Sequence, residues 1–93
     1  MNLRYERGAL ADLTEIFAYI SKDSRKAASH VRQQIEKAAS RIAASPRIGK
    51  VTRKHGFRQF RAGHFLIVYA IEADDVVVYY IRHDARQRLP EGE

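Results

Sequence analysis

The spacing of apolar residues changes along the chain, and each change predicts a new secondary-structure element. Residues 2–6 alternate polar and apolar side chains, with Leu3 and Tyr5 on one side, which is typical of a β-strand. From Ala9 onward the apolar residues recur every three or four positions, and this period predicts an amphipathic helix. The predicted apolar stripe of that helix consists of Ala9, Leu10, Leu13, Ile16, Phe17 and Ile20.

A second helix is predicted over Arg25–Ala44, because a new stripe with helical spacing begins after the polar residues 21–24. Asp23 or Ser24 is suited to cap its first turn. Its stripe consists mostly of small side chains: Ala28, Val31, Ile35, Ala38, Ala39 and Ile42. Small residues allow close packing against the first helix, so we expect an antiparallel helical hairpin that ends at Ser45, before Pro46.

Residues 56–71 predict a β-hairpin in which one arm carries charge and the other builds the core. The first arm contains Arg58 and Arg61, the turn lies at Ala62 and Gly63, and the second arm is apolar at nearly every position. A strand that is apolar on both faces belongs in the middle of a sheet. Residues 76–81 predict a last strand of the same kind, and the polar residues 87–93 are expected to fray.

The order β-α-α-β-β-β predicts a single α+β domain over residues 1–93. The helical hairpin is expected to pack on one face of a mainly antiparallel four-stranded sheet. Since two helices cover only one face, one alternate set of the last strand is expected to meet solvent: either Val76, Val78 and Tyr80 or Val77, Tyr79 and Ile81. Such an apolar patch marks a partner site, unless strand twist hides it.

Charge adds a second expectation. The 93-residue chain has a formal net charge of +6 and a pI of about 10.0. Residues 47–56 predict a charged loop, and the stretch from Arg47 to His64 contains six lysines and arginines and no acid. This predicts an anionic partner, either nucleic acid or an acidic protein, against the alternative of a solvated loop. The candidate partner-binding or anion-binding residues are Lys50, Arg53, Lys54, Arg58, Arg61, Arg82 and Arg86.

Several classes of site are excluded or disfavoured. The chain has no cysteine, so disulfides and thiolate metal sites are excluded. The histidines have no metal-ligand spacing, and there is no glycine-rich phosphate loop, so no metal or cofactor is expected. No apolar run is long enough to cross a membrane, and we expect a cytoplasmic protein with no membrane contact.

Three residues near strand ends are candidates for chemistry. Arg58 and Arg82 are predicted to lie in the same sheet and to converge. There they either bind an anion or pair with a carboxylate such as Glu6 or Asp84. His83 is suited to act as a general acid or base, but it is expected to point away from the face of Arg82; the alternative is a structural histidine bonded to backbone.

Four short segments follow one another along the chain: ALADL at 9–13, ASPRIG at 44–49, FR at 57–58 with GHFLIVY at 63–69, and VYYIRHDAR at 78–86. In this order, in a basic chain of this length, they resemble the ParE/RelE superfamily of toxins from bacterial type II toxin–antitoxin systems. RelE-like members are ribosome-dependent mRNA endonucleases, and ParE-like members poison DNA gyrase. The RelE-like pattern includes an aromatic residue near the C-terminus. Because residues 84–93 contain none, the chain is more similar to the ParE branch.

The resemblance implies a toxin that performs no reaction itself but stabilises the complex of gyrase with cleaved DNA. It also implies a small ParD-like antitoxin that wraps the toxin, with operator DNA bound only through the toxin–antitoxin complex. The alternatives are a RelE-like nuclease, for which Lys54, Arg58, Arg82 and His83 are the catalytic candidates, and a non-toxic nucleic-acid-binding domain.

Overall fold

Two helices pack on one face of a five-stranded sheet in the computed structural model, which describes residues 1–84. The helices are α1 (Arg7–Asp23) and α2 (Arg25–Ala44), and a short 3-10 helix follows at Pro46–Ile48. The strands are β1 (Asn2–Tyr5), β2 (Lys50–Val51), β3 (Phe57–Ala62), β4 (Phe65–Glu72) and β5 (Asp75–His83). The predicted α+β class and the order of the main elements are confirmed.

The strand order in the sheet is β1-β5-β4-β3-β2, in which β1 runs parallel to β5 and the other neighbours are antiparallel. The described part of the chain therefore has one strand more than predicted. The additional strand is β2, in the segment 47–56 that the sequence predicts as a loop. With only two residues it is too short to show an alternating pattern.

A single residue, Ser24, separates the two helices. Its backbone is extended, and its hydroxyl oxygen accepts a hydrogen bond from the Ala27 N–H at 3.0 Å, which caps α2 as predicted. α1 begins earlier than Ala9 and continues through residues 21–23, so the predicted break is shorter than the polar composition suggests.

The apolar stripes of the helices face the sheet unequally. In α2 the buried residues are Ile35, Ala38, Ala39 and Ile42, all from the predicted stripe. In α1 Ala9 alone is fully buried, and Leu13, Ile16, Phe17 and Ile20 are partly buried against the core. The assignment of Leu10 to this stripe is wrong: it lies at the margin of the stripe, and its side chain is 51% exposed.

The predicted hairpin of β3 and β4 is confirmed, with β4 at the centre of the sheet, but Ala62 still belongs to β3 and the turn lies one residue later than predicted, at Gly63 and His64. Gly63 begins the turn with a φ of +63°, a conformation that a residue without a Cβ adopts at little cost. Phe65, Ile67 and Tyr69 point toward the helices. Val68 and Ala70 point to the other face and are also buried, so β4 is covered on both sides.

A β-bulge in β5 decides which side chains lie on which face. Val68 pairs with Tyr80 but Tyr69 pairs with Val78, so Tyr79 is an extra residue in β5. We call the side of the sheet under the helices the helix face and the other side the open face. Val76, Val78 and Ile81 belong to the helix-face core.

The expectation that one alternate set of residues 76–81 meets solvent is wrong. Val76, Val77 and Val78 are each 0% exposed and Ile81 is 5% exposed. Tyr79 and Tyr80 both lie on the open face, where Tyr79 contacts Phe57 with a ring-centroid distance of 5.2 Å. Because aromatic side chains of the sheet itself cover the aliphatic residues there, the open face is not a bare aliphatic patch.

Candidate functional site: a groove and a basic sheet face

An apolar groove of about 670 Å³ lies between α1 and the end of β5. Its lining consists of Asp12, Glu15, Ile16, Tyr19, Ile20, Val31, His64, Phe65, Ile81 and His83. Neither lysine nor arginine occurs among these described lining residues. Tyr19 lines the groove and is 73% exposed. The stripe of α1 that the sheet does not fully bury thus forms one wall of an open apolar site.

The outer edge of β5 borders this groove. β1 pairs only with Asp75 to Val78, and within residues 1–84 no strand pairs with this edge beyond them. There the Ile81 N–H donates a hydrogen bond to Asp12 Oδ2 at 2.9 Å. A carboxylate from α1 therefore satisfies an edge group that would otherwise invite a further strand. Sequence reasoning missed Asp12, since nothing local to residue 12 indicates a contact with residue 81.

On the open face, the side chains of paired residues form rows that run across the strands. One row runs Arg61, Leu66, Arg82, and the next runs Lys50, Gln59, Val68, Tyr80. A third row runs Phe57, Ala70, Val77, Arg4. The last row places Glu72 opposite Asp75. Lys50, Arg61 and Arg82 therefore lie toward one end of this face, whereas Glu72 and Asp75 lie at the other end, where Arg4 pairs with Asp75.

An aromatic strip crosses the middle of the open face. The ring centroids of Phe57 and Tyr79 are 5.2 Å apart, and those of Tyr79 and Tyr80 are 6.4 Å apart. Two cations lie over this strip: Lys54 Nζ is 4.7 Å from the Phe57 centroid, and Arg82 Cζ is 5.7 Å from the Tyr80 centroid. Among the ion pairs of residues 1–84, none involves Lys54 or Arg82.

The predicted convergence of Arg58 and Arg82 is wrong. Arg58 pairs with Tyr69 on the helix face, whereas Arg82 pairs with Leu66 on the open face. No ion pair within residues 1–84 joins either arginine to Glu6 or Asp84. Arg58 Nη1 instead donates to the backbone oxygens of Gly49 at 2.8 Å and Arg47 at 3.2 Å. These bonds tie β3 to the segment that precedes β2.

The other predicted cations occupy different environments. Lys50 lies in β2 on the open face, and Arg53 lies with Lys54 in the connection between β2 and β3. Arg61 forms an ion pair with Asp84, whose side chain is 2% exposed. Arg86 lies outside the described residues.

His83 belongs to the groove rather than to the open face. It pairs with Phe65 in the register of β4 and β5, and the two rings meet edge to face with a centroid distance of 5.2 Å. Its predicted separation from the face of Arg82 is therefore confirmed. The candidate nuclease set of Lys54, Arg58, Arg82 and His83 is divided between the two faces of the sheet.

A buried tyrosine fixes the segment between α2 and β2. Tyr69 Oη accepts a hydrogen bond from the Gly49 N–H at 2.9 Å and donates one to the Pro46 carbonyl at 2.6 Å. Burial raises the pKa of Tyr69, and the Gly49 bond and the nearby Arg58 charge partly oppose this rise. A neutral phenol is the form that can both donate and accept in this way.

On the open face, the Tyr79 hydroxyl donates to the Glu72 carboxylate. This bond is the main reason why the pKa of Tyr79 is raised.

Among residues 1–84, no group of three or more histidine, cysteine or carboxylate side chains is arranged to hold a metal ion. In the same part of the chain, no helix combines the length and the apolar character that crossing a membrane requires.

Comparison with known proteins gives a consistent result. Residues 3–88 match the family model described as the ParE toxin of the type II toxin–antitoxin system, parDE. The fold is similar to a structure of the chromosomal ParDE system from P. aeruginosa, with a TM-score of 0.79 at 19% identity, covering 89% of this chain and 95% of that one. It is also similar to the RelB–RelE antitoxin–toxin complex from Methanococcus jannaschii, with a TM-score of 0.56 at 17% identity and 96% coverage of both chains. No curated protein sequence matches the chain.

Proposed function

The chain belongs to the ParE toxin family of type II toxin–antitoxin systems, and from this premise we propose that it inhibits DNA gyrase in the cytoplasm and is neutralised by a small ParD-like antitoxin. In this proposal the toxin performs no reaction itself. It stabilises gyrase on cleaved DNA, and it reaches operator DNA only through the antitoxin.

The observation that carries the antitoxin proposal is the uncovered groove between α1 and β5. Ile16, Tyr19 and Ile20 present apolar surface there, and the neighbouring edge of β5 has no partner strand within residues 1–84. An apolar groove of this size is suited to an amphipathic segment of another protein. Asp12 and Glu15 also line the groove and would repel a carboxylate, so the segment that enters it is expected to be apolar and free of acidic residues. Acidic parts of an antitoxin would instead bind outside the groove, near the open-face cations.

The separation of Arg82 from His83 favours a toxin without nuclease activity. Cleavage of RNA by its own 2′-hydroxyl requires a general base, a general acid and cations around one phosphate. Arg82 lies on the open face and His83 lies on the helix face, in the groove. Arg58 is engaged with two backbone carbonyl groups. This arrangement supports the gyrase proposal over a RelE-like nuclease.

The test of the target uses the chain expressed without its antitoxin in a bacterial host, and the purified chain with gyrase. We expect filamentation with a DNA-damage response in cells, and accumulation of cleaved plasmid in the gyrase reaction. Rapid arrest of translation with cut mRNA and unaffected gyrase would instead support a RelE-like nuclease. Harmless expression together with unaffected gyrase would contradict both.

The test of the groove compares Tyr19→Glu with Leu10→Glu. Both residues are exposed apolar side chains of α1, at 73% and 51%, but Tyr19 lines the groove and Leu10 does not. When the ParD-like protein of the same operon is co-expressed, we expect the Tyr19 variant to escape neutralisation and the Leu10 variant to remain neutralised. Equal neutralisation of both variants would show that the antitoxin does not use this groove.

A further inference from the structure

We propose that the open face binds a short stretch of single-stranded nucleic acid, with bases stacked on the tyrosines and phosphates held by Lys54 and Arg82. This binding goes beyond the gyrase and antitoxin proposals and does not depend on either of them. The bound class is set by two adjacent features of the face, an aromatic strip and cations without carboxylate partners.

The aromatic strip provides the stacking surface. Phe57, Tyr79 and Tyr80 follow one another at ring-centroid distances of 5.2 Å and 6.4 Å, above an aliphatic floor that includes Val77 and Ala70. Tyr80 is the most accessible of the three, with 39% of the residue exposed, whereas the hydroxyl of Tyr79 is bonded to the Glu72 carboxylate. Bases of a single strand stack on such rings regardless of sequence, whereas a duplex keeps its base faces covered.

The cations provide the phosphate contacts. Lys54 and Arg82 each lie over a ring of the strip, at 4.7 Å and 5.7 Å from its centroid. A ring face attracts a cation but leaves its charge uncancelled, so the cation remains able to bind an anion. Arg61 differs, because its charge is opposed by Asp84. Within residues 1–84, Lys54 and Arg82 have no carboxylate within 4.0 Å.

The distribution of charge also gives the bound strand a position. Glu72 and Asp75 face each other at the end of the face remote from the Arg61 and Arg82 row. The length of β4 from Leu66 to Glu72 separates these ends by about 20 Å. Arg82 lies far from these carboxylates and is therefore the stronger phosphate contact, whereas Lys54 lies over Phe57, in the row next to them, and is the weaker one. An acidic peptide, such as the acidic part of an antitoxin, would compete for these cations, whereas a nucleic acid supplies both phosphates for the cations and planar bases for the aromatic strip.

Fluorescence anisotropy measures the binding of labelled dT20, rU20 and inorganic polyphosphate, which has no bases. The salt concentration is varied between about 50 and 200 mM, a range over which phosphate contacts change the affinity strongly. The variants are Tyr80→Leu and the pair Lys54→Gln with Arg82→Gln. The matched charge control is Lys22→Gln with Lys26→Gln, two exposed lysines of the helical layer on the other side of the sheet. Circular dichroism and thermal unfolding verify that each variant is folded.

We expect the double variant of Lys54 and Arg82 to reduce the steepness of log affinity against log salt by about 1.4, which is roughly 0.7 for each phosphate that is no longer neutralised. The control double variant should reduce it far less. Tyr80→Leu should weaken dT20 and rU20 binding at least about fivefold and leave polyphosphate binding unchanged. A difference between dT20 and rU20 identifies which nucleic acid is preferred. Any of three results would overturn the proposal. These are equal salt slopes for the two double variants, unchanged binding by the Tyr80 variant, and no binding by the wild-type chain at about 50 mM salt, where phosphate contacts are strongest.

Discussion

The hydroxyl group of Tyr69 is the contact whose removal should be most informative about this fold. Its side chain is 0% exposed, and its oxygen bridges the Gly49 N–H at 2.9 Å and the Pro46 carbonyl at 2.6 Å. Residues 46–49 lead from α2 into β2, and Arg58 donates two further hydrogen bonds to their backbone. Tyr69→Phe removes one oxygen and both of its bonds without opening a sizeable cavity.

The magnitude follows from the two hydrogen bonds removed and from what each leaves behind. A typical hydrogen bond contributes about 0.5–1.5 kcal/mol net, and a buried donor left without a partner costs about 1–3 kcal/mol. Gly49 is buried, so its N–H becomes such a donor, whereas Pro46 is partly exposed and its carbonyl can accept from water. We therefore expect Tyr69→Phe to lower the free energy of unfolding by about 2–3 kcal/mol. For a domain of this size, this loss corresponds to a fall in Tm of about 10–20 °C.

The assay is urea unfolding followed by circular dichroism, with Tyr80→Phe as the matched control. The Tyr80 side chain is 39% exposed, and no partner of its hydroxyl is found among residues 1–84. We expect the control to change stability by less than about 0.5 kcal/mol and both variants to keep the wild-type m-value. If Tyr69→Phe costs no more than Tyr80→Phe, then Tyr69 does not hold the segment before β2, and the reasoning is wrong.

Two further predictions concern the edge of β5 and alkaline pH. Asp12→Ala leaves the Ile81 N–H without its acceptor and should lower the free energy of unfolding in urea by about 1–2 kcal/mol. Asp12→Asn keeps a side-chain oxygen and should cost about half as much. Equal losses for the two variants would argue against the bond. Burial raises the pKa of Tyr69 and of Tyr5 above 10.0 in the folded chain, so their contribution to stability is complete below that pH and is lost as pH rises above it. The free energy of unfolding should fall above pH 10.0, and more shallowly in Tyr69→Phe; a parallel fall in the variant would assign the effect to other groups.

The elements that sequence predicts well are those whose pattern is long and local. The stripe of α2 has helical spacing over Arg25–Ala44, and the hairpin combines an apolar arm with a glycine at its turn. Both depend on neighbouring residues in the chain and therefore appear in the sequence. Leu10 shows the limit of such a pattern, because periodicity gives the direction of a stripe but not the width that the sheet covers.

The contacts that sequence reasoning missed join distant parts of the chain. Asp12 meets Ile81 across a separation of 69 residues. Tyr69 meets Gly49 and Pro46 only because β3 and β4 bring it beneath them. Neither contact has a local signature, since an acid in a helix and a tyrosine in a strand are both ordinary. The groove likewise combines α1, α2 and two strands, and no one segment predicts it.

The bulge at Tyr79 explains why the predicted pair of arginines is divided. In a regular β5, Arg82 would lie on the same face as Val78, which pairs with Tyr69 in the row of Arg58. One extra residue reverses the alternation after Val78, so that Ile81 turns into the core and Arg82 turns to the open face. The reversal also leaves both Tyr79 and Tyr80 on that face. The one extra residue of the bulge thus moves Arg82 from the helix face to the open face. There Arg82 lies beside the aromatic strip, and the two form the surface proposed to bind nucleic acid.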